Sequence, residues 1–373
     1  MSETPLVAVL ISGLSGVEAG LRDTWDGEED LQARTKLAIA KTGWEEQNVT
    51  PEELETIKNA DILVGDPPLL AACIRTLHSK AMSFERLRWI HCTWAGPDAL
   101  IKALQELDGK IQLGPGGGLP RLTRSVGQRM RGDLAAFVVG RIVEQERFFV
   151  HSRRQQALAT WDQQAVRDYR CLRDLTVGVL GVGQIGTAVA NAAAFFGMRV
   201  IGINTKGEPP SAAIEEAAKQ TTMPGMRKAM VSPALLQSSI DAWYPVSRLQ
   251  EALPECDYLV SILPSLPSTR GLLNGTVLEA AKGRTTLINI GRGDLIDEPS
   301  LLEALDKSWL AGAVLDVHYV EPLPAASRLW HHERVTISPH VGSVSSAKDI
   351  VAAFRTEMGL LLRNEPVDKT FTV

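Results

Sequence analysis

The chain has 373 residues, long enough for two domains that each bury a core. Hydrophobic residues make up 45% of it and charged residues 22%, the balance of an ordinary globular protein. A net charge of −5 without an arginine-rich arm argues against nucleic acid as a partner.

The N-terminal segment and the cysteines indicate the compartment. Residues 1–5 carry no basic stretch ahead of an apolar run, and no apolar run approaches the length that crosses a bilayer. Cys73, Cys92, Cys171 and Cys256 are widely spaced and form no CxxC pair. We therefore expect neither a disulfide framework nor a metal site, and predict a cytoplasmic protein that does not contact a membrane.

The first third of the chain alternates strand-like and helix-like segments. Buried strands are predicted at 6–11, 61–65 and 87–91. Helices are predicted at 51–59 and 67–79, and each begins with a proline, which is favourable in a first helical turn. This alternation predicts a β/α domain with a parallel sheet.

Two segments lead from this domain to the next. The glycine- and proline-rich segment 113–120 lacks the Gly-Lys-Ser/Thr of a phosphate loop, so a flexible connection is expected there. A long helix is predicted over 132–154, and we interpret it as the crossing into a second domain.

A second β/α series begins near residue 176. Its strands are predicted at 176–180, 199–203, 257–263, 285–290, 313–317 and 335–337, and a final helix at 346–363. The sequence therefore predicts an α/β fold of two Rossmann-like domains with parallel sheets. A dinucleotide-binding domain (125–345) is inserted into a smaller substrate-binding domain (1–124 and 346–373). Residues 207–245 are an insertion, either on the surface or as a mobile cover.

Three glycines follow the first strand of the second series in a GxGxxG spacing. Gly181 permits the tight turn into the helix, Gly183 removes the Cβ that would block a pyrophosphate, and Gly186 allows close packing of the helix on the strand. Gln184 and Ile185 belong to the first helical turn, whose N–H groups and positive dipole end attract phosphates. This arrangement predicts a dinucleotide site.

The end of the second strand of this series bears on the choice of nicotinamide cofactor. An Asp or Glu there binds the ribose hydroxyls of NAD and repels a 2′-phosphate. Here the position falls on Asn204, followed by Thr205 and Lys206, which can hold a phosphate with a hydroxyl and a cation. NADP is therefore favoured. The alternative is that Lys206 is a solvated turn residue and that NAD is also used.

Three charged or titratable residues follow successive late strands. Arg292, Glu321 and His340 each come at or just past the end of a predicted strand, so they are expected at the cofactor-facing edge of the sheet. Each residue also has an interpretation without a role in catalysis. Arg292 would then be a turn arginine, Glu321 a loop carboxylate and His340 an ordinary surface histidine.

Several ordered motifs resemble those of one family, the D-isomer-specific 2-hydroxyacid dehydrogenases. The resemblance is clear over about 125–345 and weaker before it, where Trp94-Ala95-Gly96 is similar to the family's substrate loop. Trp94 and the segment 323–330 look most like the glyoxylate/hydroxypyruvate reductase branch. The motifs are the glycine triplet, LPSLPSTRGL at 263–272, INIGRG at 288–293, LDV at 315–317 with Glu321-Pro322, and SPHVG at 338–342.

The resemblance implies catalytic roles. His340 would donate a proton to the substrate carbonyl oxygen, and Glu321 would hold its other ring nitrogen. Arg292 would bind the substrate carboxylate and polarise the carbonyl. Backbone N–H groups around Ala95 and Gly96, beside Trp94, would complete the substrate site.

The same resemblance implies further contacts to the cofactor. Asp316 is expected to face the nicotinamide carboxamide. The other residues expected to line the cofactor site are Leu263, Pro264, Thr269, Ile290, His340 and Gly342.

The activity implied is hydride transfer between NAD(P)H and a small 2-oxo acid, such as glyoxylate or hydroxypyruvate, to give the D-2-hydroxy acid. A formate-dehydrogenase-like enzyme would have an amide in place of Glu321. The alternative from another class is a nucleotide-sensing scaffold of the corepressor type, without physiological turnover. A homodimer is expected by analogy, through the helix at 132–154.

Overall fold

The computed structural model describes residues 5–27, 29–40, 50–84, 86–107, 113, 119–125, 128–209, 239–363 and 365. Contacts divide the chain into unit 1, Met1–Arg129 with Ser345–Val373, and unit 2, Met130–Val344. Most of the glycine-rich connection at 113–120 and of the insertion at 207–245 lies outside the described residues. Within the described ranges, no helix is long and apolar enough to cross a membrane.

Helices and strands alternate along most of the chain. In order they are β1 (Leu6–Ile11), α1 (Val17–Asp26), α2 (Glu29–Arg34), β2 (Thr35–Ile39), α3 (Pro51–Lys58), β3 (Ile62–Gly65), α4 (Pro67–Ser79), β4 (Trp89–Cys92), α5 (Asp98–Glu106), β5 (Arg121–Arg124), α6 (Gln128–Glu146), α7 (Phe149–Ala157), β6 (Thr176–Leu180), α8 (Gln184–Phe195), β7 (Arg199–Asn204), β8 (Ala242–Pro245), α9 (Leu249–Ala252), β9 (Tyr258–Ser261), β10 (Thr286–Asn289), α10 (Glu298–Asp306), β11 (Gly312–Leu315), β12 (Val335–Ile337) and α11 (Ala347–Leu362).

Unit 1 contains a parallel sheet of strand order β2-β1-β3-β4-β5. Its central strands are buried on both sides, as a parallel sheet covered by helices requires. Apolar residues of α1 and α11 cover one face, with Trp89 and Phe354 stacked at its centre. Residues of α3, α4 and α5 cover the other face.

Unit 2 contains a parallel sheet of strand order β12-β11-β10-β9-β6-β7-β8. Buried residues of α6 and α8 pack on one face, and those of α9 and α10 on the other. The strand order reverses beside β6, because β7 lies on one side of it and β9 on the other. In open α/β sheets such a reversal leaves a crevice at the carboxyl ends of the strands, where ligands bind.

The predicted fold class, α/β with two parallel sheets, is confirmed. Strands β2, β5 and β8 were not predicted, and each is an edge strand of its sheet. Each contains a residue that interrupts the apolar run by which the central strands were recognised: Lys36 in β2, Arg121 in β5 and Pro245 in β8.

The predicted helix at 132–154 is two helices rather than one. Phe148 adopts a left-handed backbone with φ +51°, which a right-handed helix cannot accommodate. The chain therefore ends α6 at Glu146 and begins α7 at Phe149.

Candidate active site

The turn after β6 has the geometry of a phosphate-binding site. Gly181 has φ +103°, and a Cβ added at Gly186 would lie 2.1 Å from the carbonyl oxygen of Gly181. Helix α8 can begin this close to the strand only because Gly186 has no side chain. The two glycines thus bring the first turn of α8 to the end of β6.

Gly183 differs from its two neighbours in this turn. A Cβ added there would meet no described atom within 4 Å. Packing among the described residues would therefore allow a side chain at this position. Gly183 precedes Gln184, the first residue of α8, and no described side chain caps the helix. Open space beside helical N–H groups fits a pyrophosphate, and a dinucleotide would be held here.

The loop after β7 is organised by the side chain of Asn204. Its Oδ1 accepts hydrogen bonds from the N–H groups of Lys206 (3.0 Å) and Gly207 (2.7 Å), and its Nδ2 donates to the carbonyl of Glu208 (2.7 Å). The side chains of Thr205 and Lys206 are exposed at the tip of this loop. Asn204 therefore shapes the loop and leaves the next two side chains available to a ligand.

The loop after β9 lies between the glycine turn and the loop after β10. Leu263 is close to both Gly181 and Gly291, since a Cβ on either glycine would approach it within 3.1 Å. Thr269 holds its own loop, because its Oγ1 donates to the carbonyl of Pro264 (2.6 Å). Ile290 is buried and donates its N–H to the carbonyl of Ser261 (3.1 Å). These predicted cofactor residues thus lie at the carboxyl edge of the sheet.

His340 and Glu321 form a direct pair. The Nδ1 atom of His340 lies 2.9 Å from Oε2 of Glu321, and the other carboxylate oxygen accepts a hydrogen bond of 2.8 Å from the N–H of His318. His340 itself has a left-handed backbone, with φ +55°. The carboxylate is fixed at both oxygens and leaves Nε2 of the imidazole for chemistry.

Electrostatics in this pair favour a charged imidazole. The hydrogen bond that the carboxylate of Glu321 accepts from the ring raises the pKa of His340 above its ordinary value, against the effects of burial and of the guanidinium of Arg292, which lower it. Burial alone would raise the pKa of Glu321, but the hydrogen bonds from His340 and from the N–H of His318 bring it below the usual value. A raised pKa extends the pH range over which the imidazole keeps its proton, which is what a general acid requires.

Asp316 holds the loop that carries His340. Its carboxylate is buried and accepts three hydrogen bonds: from Ser338 Oγ (2.6 Å), Val341 N–H (3.0 Å) and Gly342 N–H (2.8 Å). The sequence predicted that Asp316 faces the nicotinamide. Most of its hydrogen-bonding capacity is used within the protein, so its observed contacts are those of a positioning residue. Gly342 takes part in the same loop.

Arg292 lies on a turn whose shape is fixed by the buried side chain of Asn289. Asn289, at the end of β10, donates from Nδ2 to the carbonyl of Arg292 (2.9 Å) and accepts from the N–H of Gly291 (3.1 Å). The guanidinium of Arg292 donates to the carbonyl of Gly291 (2.7 Å). Gly293 then packs directly on the backbone of His318, so the turn that bears Arg292 touches the segment that leads to Glu321.

The predicted substrate loop of unit 1 follows β4. Trp94, Ala95 and Gly96 are half-buried. The hydroxyl of Thr93 donates to Asp66 (2.5 Å), and the guanidinium of Arg124 donates to the carbonyl of Ala95 (2.9 Å). This loop is therefore fixed by two charged side chains.

Sequence reasoning missed the residues that position the site. Asn289, Asp66 and Arg124 were given no role, although each lies at the end of a buried strand or directly after one. A polar residue at the end of a predicted strand could have identified Asn289 and Asp66, but β5, which ends at Arg124, was not predicted. No cluster of three or more potential metal ligands occurs among the described residues.

The fold and this site together define a dinucleotide-binding α/β protein with an acid–base pair. Comparison with known proteins agrees with that class. The family model described as D-isomer specific 2-hydroxyacid dehydrogenase, NAD binding domain, matches residues 139–229 and 215–342, which together span more than half of the chain. The chain therefore belongs to this family and is a nicotinamide-dinucleotide-dependent oxidoreductase, which confirms the resemblance found in the sequence.

Individual proteins are also similar to this chain, in sequence or in fold. Glyoxylate/hydroxypyruvate reductase A of Photorhabdus laumondii is 29% identical over 259 residues, which are 69% of this chain and 72% of the relative. A family structure from Aeromonas salmonicida aligns with a TM-score of 0.73 and 25% identity, covering 99% of both chains. An NADPH-dependent glyoxylate/hydroxypyruvate reductase of Sinorhizobium meliloti, solved with NADP and sulfate, aligns with a TM-score of 0.70 and 19% identity, covering 98% of both.

Proposed function

We propose that this protein reduces a small 2-oxo acid, such as glyoxylate or hydroxypyruvate, to the D-2-hydroxy acid with NADPH. The observation that carries the proposal is the His340–Glu321 pair at 2.9 Å, on the same sheet edge as the glycine turn. The Photorhabdus relative is named for these two substrates, which supports the choice. Trp94 would reduce the space beside the substrate and favour small acids.

The proton in this proposal comes from His340. When bound, the reduced nicotinamide supplies the hydride to the carbonyl carbon. The Nε2–H of His340 gives its proton to the carbonyl oxygen, so the C=O bond becomes an alcohol and the imidazole becomes neutral. Since His340 is half exposed, it can recover a proton from water. Glu321 holds the ring in one orientation and stabilises its charged form throughout.

Arg292 is assigned to the substrate's carboxylate and carbonyl. A guanidinium presents parallel N–H donors that match a carboxylate better than a lysine does. Its positive charge also stabilises the oxygen on which negative charge develops during hydride arrival. Backbone N–H groups of the loop Trp94–Ala95–Gly96 in unit 1 are assigned to the substrate as well.

The preference for NADPH is assigned to Thr205 and Lys206. Both side chains are exposed at the tip of the loop that Asn204 holds, and a hydroxyl with a cation suits a 2′-phosphate. Lys206→Ala should raise the KM for NADPH about tenfold and leave that for NADH unchanged, because only NADPH carries the phosphate. Lys80→Ala, at an exposed lysine of unit 1, is the control. Equal effects on both cofactors would refute the assignment.

A panel of 2-oxo acids with NADPH and NADH tests the activity itself. We expect glyoxylate or hydroxypyruvate to give the highest kcat/KM, and His340→Asn to lower kcat by about 10²–10⁴-fold. Asn tolerates the left-handed backbone of residue 340 better than Ala, so the loop should keep its shape. Nucleotide affinity should stay the same. Nucleotide binding without turnover of any acid would favour a nucleotide-sensing scaffold instead.

A homodimer in the cytoplasm completes the proposal. Apolar side chains in the segment 148–161 are exposed: Phe148, Phe149, Val150, Leu158 and Trp161. None of the residues of α7 is buried in the single chain. Such a surface suits a second copy of the same chain. All four cysteines are free thiols, which supports a reducing compartment.

A further inference from the structure

The loop between β4 and α5 is held at two points by charged side chains of unit 1. One is Asp66, which follows β3 and is fully buried. The other is Arg124, the last residue of β5 and half-buried. Strands β3, β4 and β5 are neighbours in one parallel sheet, so both side chains start from the same edge as the loop.

Asp66 joins the ends of three strands. Its carboxylate accepts hydrogen bonds from Ser12 Oγ (2.8 Å) and Gly13 N–H (2.8 Å) after β1, and from Thr93 Oγ1 (2.5 Å) after β4. Thr93 also donates its N–H to the carbonyl of Gly65 (3.0 Å). A buried carboxylate that lacks such donors is costly, so the three bonds stabilise one another and fix the start of the loop.

Arg124 contacts a peptide group of the substrate loop. Its Nη1 donates to the carbonyl oxygen of Ala95 (2.9 Å), which belongs to the same peptide unit as the N–H of Gly96. In a trans peptide the C=O and N–H bonds point in opposite directions. Fixing the oxygen towards Arg124 therefore fixes the direction in which the Gly96 N–H points, away from the guanidinium.

A charged donor on the carbonyl also strengthens the N–H at the other end of the peptide. Hydrogen bonds in a chain polarise each other, and a guanidinium is a stronger donor than a neutral group. Gly96 N–H thus becomes a better donor to an anion. Arg124 could thus strengthen an anion site at Gly96 without contacting the anion itself.

We propose that Asp66 and Arg124 are positioning residues that fix the Thr93–Gly96 loop so that the Gly96 N–H binds the substrate's carboxylate. This inference rests on the proposed function and adds two residues to it that do not take part in the chemistry. They determine how well the acid is held, whereas the proton is assigned to His340 and the hydride to the nicotinamide.

Arg124→Met is the direct test. With NADPH saturating, we expect the KM for glyoxylate to rise about tenfold or more and kcat to change by less than about threefold, because ground-state carboxylate binding is lost. Inhibition by oxamate, an unreactive carboxylate, should weaken in parallel, and the Kd for NADPH should stay the same. Arg124→Lys keeps the charge without the planar fork, so its KM should be intermediate.

The chain offers a matched control on the same strand. Arg121 begins β5 and is half-buried like Arg124, but strand alternation puts its side chain on the other face. Arg121→Met should leave KM at the wild-type value. Thr93→Val removes the hydroxyl bonded to Asp66 with little change in shape, and it should raise KM several-fold even if Asp66→Asn does not fold.

The outcomes separate this inference from the proposed function. An active wild type with an unchanged KM in both Arg124→Met and Thr93→Val would overturn the role of the loop alone. An inactive wild type would overturn the proposed function, and this inference with it. A KM that rises equally in Arg121→Met would assign the effect to general disturbance of β5 and would also overturn it.

Discussion

At the scale of single residues, hydrogen bonds fix both His340 and Glu321 in place. Glu321 binds the ring of His340 and the backbone of His318. Asp316 binds both N–H groups that follow His340 in the chain. These bonds stabilise His340, whose backbone is in the left-handed region. That conformation is unfavourable for a residue with a side chain.

The proposed reaction has a predictable pH dependence. It uses the charged imidazole of His340 as the acid, so kcat/KM should be constant below the raised pKa of His340 and fall as pH rises through it. Glu321→Gln removes the negative charge that raises the pKa of His340, so the fall should begin at lower pH. The measurement is kcat/KM for glyoxylate against pH, with the exposed Glu279→Gln as control. A profile that does not move in Glu321→Gln would contradict this account.

Asp316 offers a test of positioning against direct cofactor contact. In Asp316→Asn, at least one of the three donors loses its acceptor, and the free energy of unfolding should fall by about 1–3 kcal/mol. We expect kcat to fall as well, since the His340 loop loosens. Thermal unfolding and kcat are measured together, and the exposed Asp168→Asn is the control. Lower kcat with unchanged stability would favour the nicotinamide contact that the sequence predicted.

At the scale of elements, two glycines in the turn from β6 into α8 differ in the space around them. Gly186 has no room for a side chain, because its Cβ would meet the carbonyl of Gly181. Gly183 has room, because nothing described lies within 4 Å of its Cβ position. The packing of the protein therefore requires a glycine at 186 but not at 183, and a bound ligand is the explanation that we test for Gly183.

This difference predicts opposite results for two alanine variants. Gly186→Ala should lower the free energy of unfolding by about 1–3 kcal/mol, because the helix must move away from the strand. Gly183→Ala should unfold like the wild type but bind NADPH about tenfold more weakly, because its methyl group occupies space meant for the pyrophosphate. Thermal unfolding and nucleotide titration distinguish the two. Equal loss of stability in both variants would remove the ligand explanation for Gly183.

Features that repeat along the sequence, or that have a fixed spacing, could be predicted from the sequence. The central strands are continuous apolar runs, and the glycine triplet has a fixed spacing, so both were found. Strands such as Arg121–Arg124 were not, because an edge strand needs only one buried side. The break between α6 and α7 at Phe148 was missed because it depends on one backbone angle. No glycine or proline marks it in the sequence.

The same limit applies within the site. The order of Arg292, Glu321 and His340 along the chain indicated chemistry, whereas the three bonds to Asp316 join residues more than twenty positions apart. Which side chain bonds which backbone group is decided by tertiary structure. Roles in positioning are therefore harder to predict than roles in chemistry.

At the scale of the whole molecule, the proposed dimer depends on the exposed segment 148–161. Trp161 is 95% exposed in the single chain, which is unusual for the largest apolar side chain. Trp161→Glu should weaken self-association by about thirtyfold or more if the residue is central to the interface. Sedimentation over a range of concentrations measures this. Trp330→Glu, at another exposed tryptophan, is the control, and a wild type that sediments as a monomer would refute the dimer.

The side chains assigned to the chemistry lie outside the apolar clusters that hold the two sheets together. Arg292, Glu321 and His340 are all exposed or half-buried on loops beyond the strand ends. Losing the imidazole should therefore leave the scaffold intact. An inert His340→Asn protein is, for that reason, a suitable trap in which nucleotide and acid can be captured side by side and seen before they react.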